Sequence, residues 1–301
     1  MKAPVLLSLP VPDLFSFDEC LWFLDRGLDD CMHRVQDGYL YKALDTGQGR
    51  LLFQLGCREG QLQVTLPAGE ASVFNLQYLS GYIREWLHLD AGLQPFYRKL
   101  ESVKSLAYMT TAFRGLRLPA INSLFEALCW SIIGQQINLT FAYKLKRRLV
   151  EHYGTSITAG NVTCFIFPEP AALAGAEEAV LREMQFSRQK INYLVALAAA
   201  FEAGVMDRSR LDALPSFADR QQALLQLKGV GVWTANYVLM KSLREPGSIP
   251  HGDAGLLQAL VAHGIMKDRK DLAAAERLYR KFKGWESYLV FYLWRSLAPR
   301  T

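Results

Sequence analysis

Residues 227–239 read LKGVGVWTANYVL, and the two glycines set one residue apart between apolar helical stretches decide how the chain around them is read. Gly229 and Gly231 permit backbone angles that a β-carbon opposes, and they let the turn approach another backbone closely. The expected unit is a helix ending near Leu227, a four-residue turn Lys228–Gly231, and a second helix over about Val232 to Leu243. N–H groups at the start of that second helix have no intrahelical acceptor, and a phosphate suits them electrostatically. A tight helix-to-helix turn without any ligand fits the same residues equally well.

Further along, Ile249–Leu260 reads IPHGDAGLLQAL after a Pro246-Gly247 loop and places Asp253 at the mouth of the next helix. Taken alone, Asp253 is best read as an N-cap, since aspartate favours that position and the helix dipole stabilises its charge. Beside a phosphate-type hairpin the functional reading takes precedence.

Towards the N-terminus the apolar positions Leu124, Phe125, Leu128, Cys129 and Ile132 share one helical face up to Gly134. Another helix is expected from Leu139 to His152, stopping at Gly154, and a further one over Arg188–Glu202 with Ser187 as N-cap and Gly204 beyond its end. Lys144, Arg147 and Arg148, with Lys146 nearby, could meet phosphates; a solvated charged face is the plainer reading. Before about residue 90 the signals change to β. HRVQDGYLYKALDT from His33, RLLFQLGC from Arg50 and QLQVTLP from Gln61 are separated by turn residues, and a helix over about Ser72 to Leu87 closes the region. The expected organisation is a small α+β domain over 1–92 and an all-α region over 93–301 made of two helical subdomains.

With 301 residues, half of them apolar, the chain suits two or three packed subdomains. No stretch approaches the roughly 20 uncharged apolar residues of a membrane span. The opening run MKAPVLLSLP is interrupted by Pro4 and Pro10 and reads as the mature N-terminus of a cytoplasmic protein. Cys20, Cys31, Cys57, Cys129 and Cys164 are scattered without a C-x-x-C pair, so an iron–sulfur cluster is not expected and the thiols read as reduced packing residues. A net charge of +5 is compatible with nucleic acid and equally with many enzymes.

In order along the chain, the hairpin, the Gly/Pro-rich loop and the aspartate resemble the signature of the helix-hairpin-helix (HhH-GPD) DNA glycosylase superfamily that includes endonuclease III. Within it the sequence is similar to the 3-methyladenine DNA glycosylase II family. LFEALCWSIIGQQINLTFAYKLKRRLVEHYG from Leu124 resembles the family's opening helices, FSRQKINYLVALA from Phe186 the next element, and GWESYLVFYLW from Gly284 the final aromatic helix. FSFDECLWFLDRG from Phe15 and the strands after it resemble the family's small TATA-binding-protein-like domain.

That resemblance implies a mostly α fold and a monomer acting on double-stranded DNA in base excision repair. It implies that Asp253 is the catalytic carboxylate, that Trp233, Tyr237 and Trp294 line the pocket for a flipped base, and that Gln136 is the wedge filling the gap in the duplex. DNA contacts are implied at Gly229, Val230, Gly231 and Thr234. No cofactor is implied beyond a monovalent cation on the backbone carbonyls of Leu225, Leu227 and Val230. Bifunctional relatives carry a lysine two residues after the second hairpin glycine, where this chain has Trp233; Lys228 does not match that position. The expected enzyme is therefore monofunctional. The family often has an acidic residue just before the catalytic one, whereas here it is Gly252, with His251 adjacent. Trp22 and Phe23 could reach the pocket, though core packing is the plainer role. A noncatalytic DNA-binding module and a glycosylase for an oxidised or deaminated base are the competing readings, and an alkylated base suits the aromatic pocket best.

Overall fold

The computed structural model describes residues 4–298, so the reading of Met1–Ala3 lies outside the described residues. β1 (Leu7–Pro10), α1 (Phe17–Leu24), β2 (His33–Gln36), β3 (Tyr39–Asp45), β4 (Arg50–Arg58), β5 (Gln61–Ala68) and α2 (Val73–Trp86) form the N-terminal domain. Its antiparallel sheet runs in the order β1-β5-β4-β3-β2. Alternation along β4 sorts its side chains: Leu51, Phe53 and Leu55 join Leu79, Ile83 and Trp86 of α2 in one core, and Leu52 faces the other way. Ser16 and Ser72 cap α1 and α2 through the N–H groups of Glu19 and Asn75.

The helical region follows with α3 (Gln94–Glu101), α4 (Met109–Ala112), α5 (Leu124–Gly134) and α6 (Leu139–Tyr153). An antiparallel hairpin, β6 (Thr155–Ala159) and β7 (Val162–Ile166), comes next. This corrects the expectation of an all-α 93–301. Val162 and Cys164 pack on Ala43 and Leu52, so the hairpin covers the sheet face that α1 and α2 leave open, and the Phe165 N–H donates to the Cys31 carbonyl at 3.0 Å.

Then come α7 (Pro170–Ala174), α8 (Glu178–Glu183), α9 (Arg188–Glu202), α10 (Arg208–Asp212), α11 (Phe217–Leu225), α12 (Val232–Lys241), α13 (Ala254–Ala262), α14 (Leu272–Lys281) and α15 (Glu286–Ser296). Their buried faces form two cores. One gathers α5, α6, α9 and α12 around Leu128, Ile132, Leu149, Leu194 and Val238. The other joins residues 93–118 to α13, α14 and α15 around Phe96, Leu260, Phe282 and Tyr292. Val238 and Leu239 belong to the first core and Met240 to the second, so α12 lies on the seam between the helical subdomains.

The basic face of α6 is structural. Lys146 is buried and pairs with Glu126 at 3.0 Å and Asp30 at 3.6 Å, while Arg147 pairs with Asp29 and Glu151. Arg148 donates to the Met184 carbonyl and Gln185, which leaves Lys144 as the exposed cation of the set. Burial opposes the charge on Asp30, but Lys146 and His33 outweigh it and hold the carboxyl below its ordinary range. These pairs join α6 to the segment between α1 and β2.

Candidate active site

The loop after α12 turns at Gly252, whose φ of +80° lies in the left-handed region that favours glycine. The turn is closed by the Asp253 N–H donating to the Pro250 carbonyl at 3.1 Å. His251 is exposed and lies edge-on to Tyr279, with ring centroids 6.0 Å apart. Asp253 is the N-cap of α13: its Oδ1 accepts from the Leu256 N–H at 2.8 Å and from the Trp294 Nε1–H at 2.8 Å. Its Oδ2 accepts from the Trp233 Nε1–H at 3.3 Å. Capping and the functional placement thus coexist, because each carboxylate oxygen takes a different share. A β-carbon at Gly255 would stand 3.4 Å from Trp294, so glycine there leaves room for the indole to reach the carboxylate.

Trp233, Tyr237, Trp294 and Asp253 line one cavity of about 400 Å³ where the three domains meet. That volume falls in the usual range of small-molecule pockets, about 300–1,000 Å³. The Trp233 and Tyr237 rings are near parallel, 16° apart with centroids at 5.3 Å, as residues one helical turn apart allow. Trp294 lies 6.3 Å from Tyr237. Burial raises the Tyr237 hydroxyl well above its ordinary range, and its oxygen accepts from Trp130 Nε1 at 3.1 Å. Trp22 and Phe23 line the same cavity from α1; Trp22 stacks under the Arg295 guanidinium at 3.6 Å and Phe23 packs edge-on to Phe291. Both are partly packing and partly wall.

At the hairpin the structure separates two glycines that look alike in sequence. Gly229 has φ +86°, and a β-carbon there would sit 2.4 Å from the Tyr193 ring. Gly231 has φ −96°, is exposed and would meet nothing within 4 Å, which corrects the expectation that its backbone requires glycine. It is the N-cap of α12 without a capping side chain, so the first N–H groups of the helix are left to an outside acceptor. Val230 is buried and its N–H donates to the Leu227 carbonyl, while Thr234 is 2% exposed and its hydroxyl accepts from Gln135 Nε2 at 3.2 Å. The turn and the core thus use both side chains, and the backbone of Thr234 stands at the helix start. Lys228 is exposed on the turn.

Gln136 is exposed in the α5–α6 turn with φ +57°. Its neighbour Gln135, which sequence reading missed, donates to the Gly229 carbonyl at 3.0 Å as well as to Thr234, and so ties that turn to the hairpin. Lys241, also missed, lies buried on the cavity wall with Nζ against the Pro119 carbonyl. Trp130 was hidden in the same way. None carries a local signature, since each acts through a partner distant in sequence.

Among the described residues no group of His, Cys, Asp or Glu could hold a metal ion, and no helix is long and apolar enough to cross a membrane. Against known proteins, residues 129–285 match the family of HhH-GPD superfamily base excision DNA repair proteins. A DNA-3-methyladenine glycosylase of Bacillus subtilis is 32% identical over 97% of both chains. The 3-methyladenine DNA-glycosylase of Archaeoglobus fulgidus superposes with a TM-score of 0.81 at 20% identity, covering 96% of this chain and 97% of that one. An 8-oxoguanine glycosylase/lyase of Clostridium acetobutylicum, bound to double-stranded DNA, has the same fold at TM-score 0.69 and 14% identity over 89% of this chain and 98% of its own. With the matched segment running from within α5 to the start of α15 and a full-length relative above 30% identity, the chain belongs to the HhH-GPD superfamily of base excision DNA repair proteins.

Proposed function

We propose that the protein is a monofunctional DNA glycosylase that draws an alkylated base out of duplex DNA and hydrolyses its N-glycosidic bond. The observation that carries this reading is the Asp253 carboxylate, held by two indole N–H groups at the wall of an aromatic cavity. As the base departs with the bonding electron pair, positive charge builds on the deoxyribose, and a fixed carboxylate beside it stabilises that state. Water then adds to the sugar carbon and gives up a proton that the Asp253 carboxylate can take. A base alkylated at a ring nitrogen is cationic and leaves as a neutral molecule, so stacking on Trp233, Tyr237 and Trp294, worth about 0.5–2 kcal/mol per contact, suffices for selection. The Bacillus subtilis relative, a DNA-3-methyladenine glycosylase, supports an alkylated substrate.

Gln136 would fill the gap left by the flipped base, and the open start of α12 at Gly231 would take a backbone phosphate. A monovalent cation fits the hairpin carbonyls: among the described residues no backbone donor reaches those of Leu225 and Val230, which leaves both for a cation alongside that of Leu227. Bound there, the cation would fix the turn between α11 and α12. A monomer working on chromosomal DNA in the cytoplasm accords with this reading.

The test is incubation of methylated duplex DNA with the purified protein and chromatography of the released bases. Free methylpurines and abasic sites are expected. Absence of any free base would contradict the proposal.

A further inference from the structure

α12 presents Trp233, Tyr237 and Lys241 at i, i+4 and i+8, so the aromatic wall of the cavity continues into an amine on the same helical face. Lys241 is 4% exposed, and among the described residues it makes no ion pair. Its Nζ donates to the Pro119 carbonyl and lies 4.9 Å from the centre of the Phe23 ring and 5.4 Å from that of Phe291. An ammonium has three donors, and among the described residues only the Pro119 carbonyl accepts from it. Burying a lysine without a counter-ion is costly when an apolar side chain would fill the same space, so an amine left short of acceptors on a cavity wall points to an acceptor that arrives from outside.

We propose that Lys241 is a specificity-determining residue that donates a hydrogen bond from Nζ to the carbonyl oxygen on the far edge of the flipped base, so that the cleft favours 6-oxopurines over 6-aminopurines. The proposal rests on the base-excision reading above. Lys241 lies about 12 Å along the helix from Trp233, and helical side chains lean towards the N-terminus, which brings Nζ back towards Tyr237. A purine with its sugar beside Asp253 turns its six-membered ring away from the carboxylate. That far edge carries O6, an acceptor, in guanine-like bases and N6–H₂, a donor, in adenine-like ones. Against the lysine the first pair is satisfied, whereas the second sets two donors face to face and leaves both unpaired.

Burial, with a smaller contribution from Arg26, brings the Lys241 ammonium down to about 7. Only the protonated form lacks a lone pair that could accept from N6–H₂, so the discrimination belongs to the ammonium and should weaken as the pH rises above that value. Of the other charged groups that line the cavity, Lys146 pairs with Glu126 and Asp30, Lys42 donates to the Met32 carbonyl, Arg26 lies over the Phe23 ring at 4.3 Å, Arg295 pairs with Glu19 at 2.9 Å, and Asp253 is held by the two indoles.

Duplex DNA treated with a methylating agent contains both 7-methylguanine, a 6-oxopurine, and 3-methyladenine, a 6-aminopurine. Both are released into one reaction and quantified together, so their ratio is insensitive to how much enzyme is folded. Lys241→Met should lower the ratio of 7-methylguanine to 3-methyladenine by about 10-fold or more, and Lys241→Gln, which keeps a donor, should recover part of it. An unchanged ratio in Lys241→Met, whether both yields fall together or neither does, would overturn the proposal and leave Lys241 as packing. Failure of the unsubstituted enzyme to release either base would instead remove the base-excision reading, and this proposal with it.

Discussion

Two clusters of polar groups face each other across the interior, and they are built on opposite plans. Between the N-terminal domain and α6, Asp30, Glu126, Lys146 and Arg147 are all ion-paired within the protein. Around Asp253 and the hairpin, partners are missing among the described residues: the start of α12 has no capping side chain, Lys241 has no counter-ion, and Asp253 Oδ2 has one long hydrogen bond. Charge is as dense in the first cluster as in the second, so charge alone does not mark function. Both clusters border the same cavity, and what distinguishes the second is valence left unused there, where a ligand supplies the complement.

Removing the Asp253 charge should give the largest effect. Asp253→Asn keeps a capping oxygen for the Leu256 N–H, so stability should fall by no more than about 1 kcal/mol. Base release under single-turnover conditions should fall on the order of 10³-fold or more while DNA binding is retained. A rate within tenfold of the parent would remove the carboxylate from the chemistry.

Lys146→Met probes the paired cluster and should behave in the reverse way. It leaves Glu126 and Asp30 buried without their main partner, a loss of about 3–5 kcal/mol of stability visible in denaturant unfolding. Release per folded molecule should change far less than in Asp253→Asn. If stability stayed within about 1 kcal/mol, the account of this junction as a charge-matched joint would be wrong.

A smaller contrast lies within the hairpin. Gly229→Ala meets the Tyr193 ring and a positive φ, and should cost about 1–3 kcal/mol in stability. Gly231→Ala has open space and an ordinary φ, so stability should change by about 0.5 kcal/mol or less. Its effect should appear in DNA affinity, equally for damaged and undamaged duplexes, because phosphate contacts carry no sequence information. Equal loss of stability in both variants would erase the distinction between the glycines.

Much of this was legible in the sequence where periodicity and turn chemistry agree. The strands from Arg50 and Gln61, the helix over Val73–Trp86, and the helix over Arg188–Glu202 with its Ser187 cap stand as expected, whereas the single segment expected from His33 is two strands, β2 and β3, turned at Asp37-Gly38. Asp253, Trp233, Tyr237 and Trp294, expected together from the resemblance, do surround one cavity. β1 was hidden because Pro10 ends it and Pro4 and Pro12 flank it. The hairpin at 155–166 carries a signal of its own, β-favouring residues on either side of Gly160-Asn161, but it lies inside a long helical stretch and its role depends on the distant sheet face it covers. Gln135 and Lys241 were illegible for a similar reason. A lone polar residue on an apolar helical face gains meaning only from the carbonyls of Gly229 and Pro119 that the fold brings to it.

The central claim is that a carboxylate, and not an amine, drives cleavage, and borohydride treatment during turnover on methylated duplex DNA tests it most directly. Trp233 stands where the family resemblance implies a lysine in bifunctional members, and its indole N–H serves Asp253. No covalent enzyme–DNA adduct should be trapped, and the strand should stay intact until alkali breaks it at the abasic site. An efficiently trapped adduct would show that an amine, with Lys228 and Lys241 the first to be examined, attacks the sugar, and would contradict the monofunctional account.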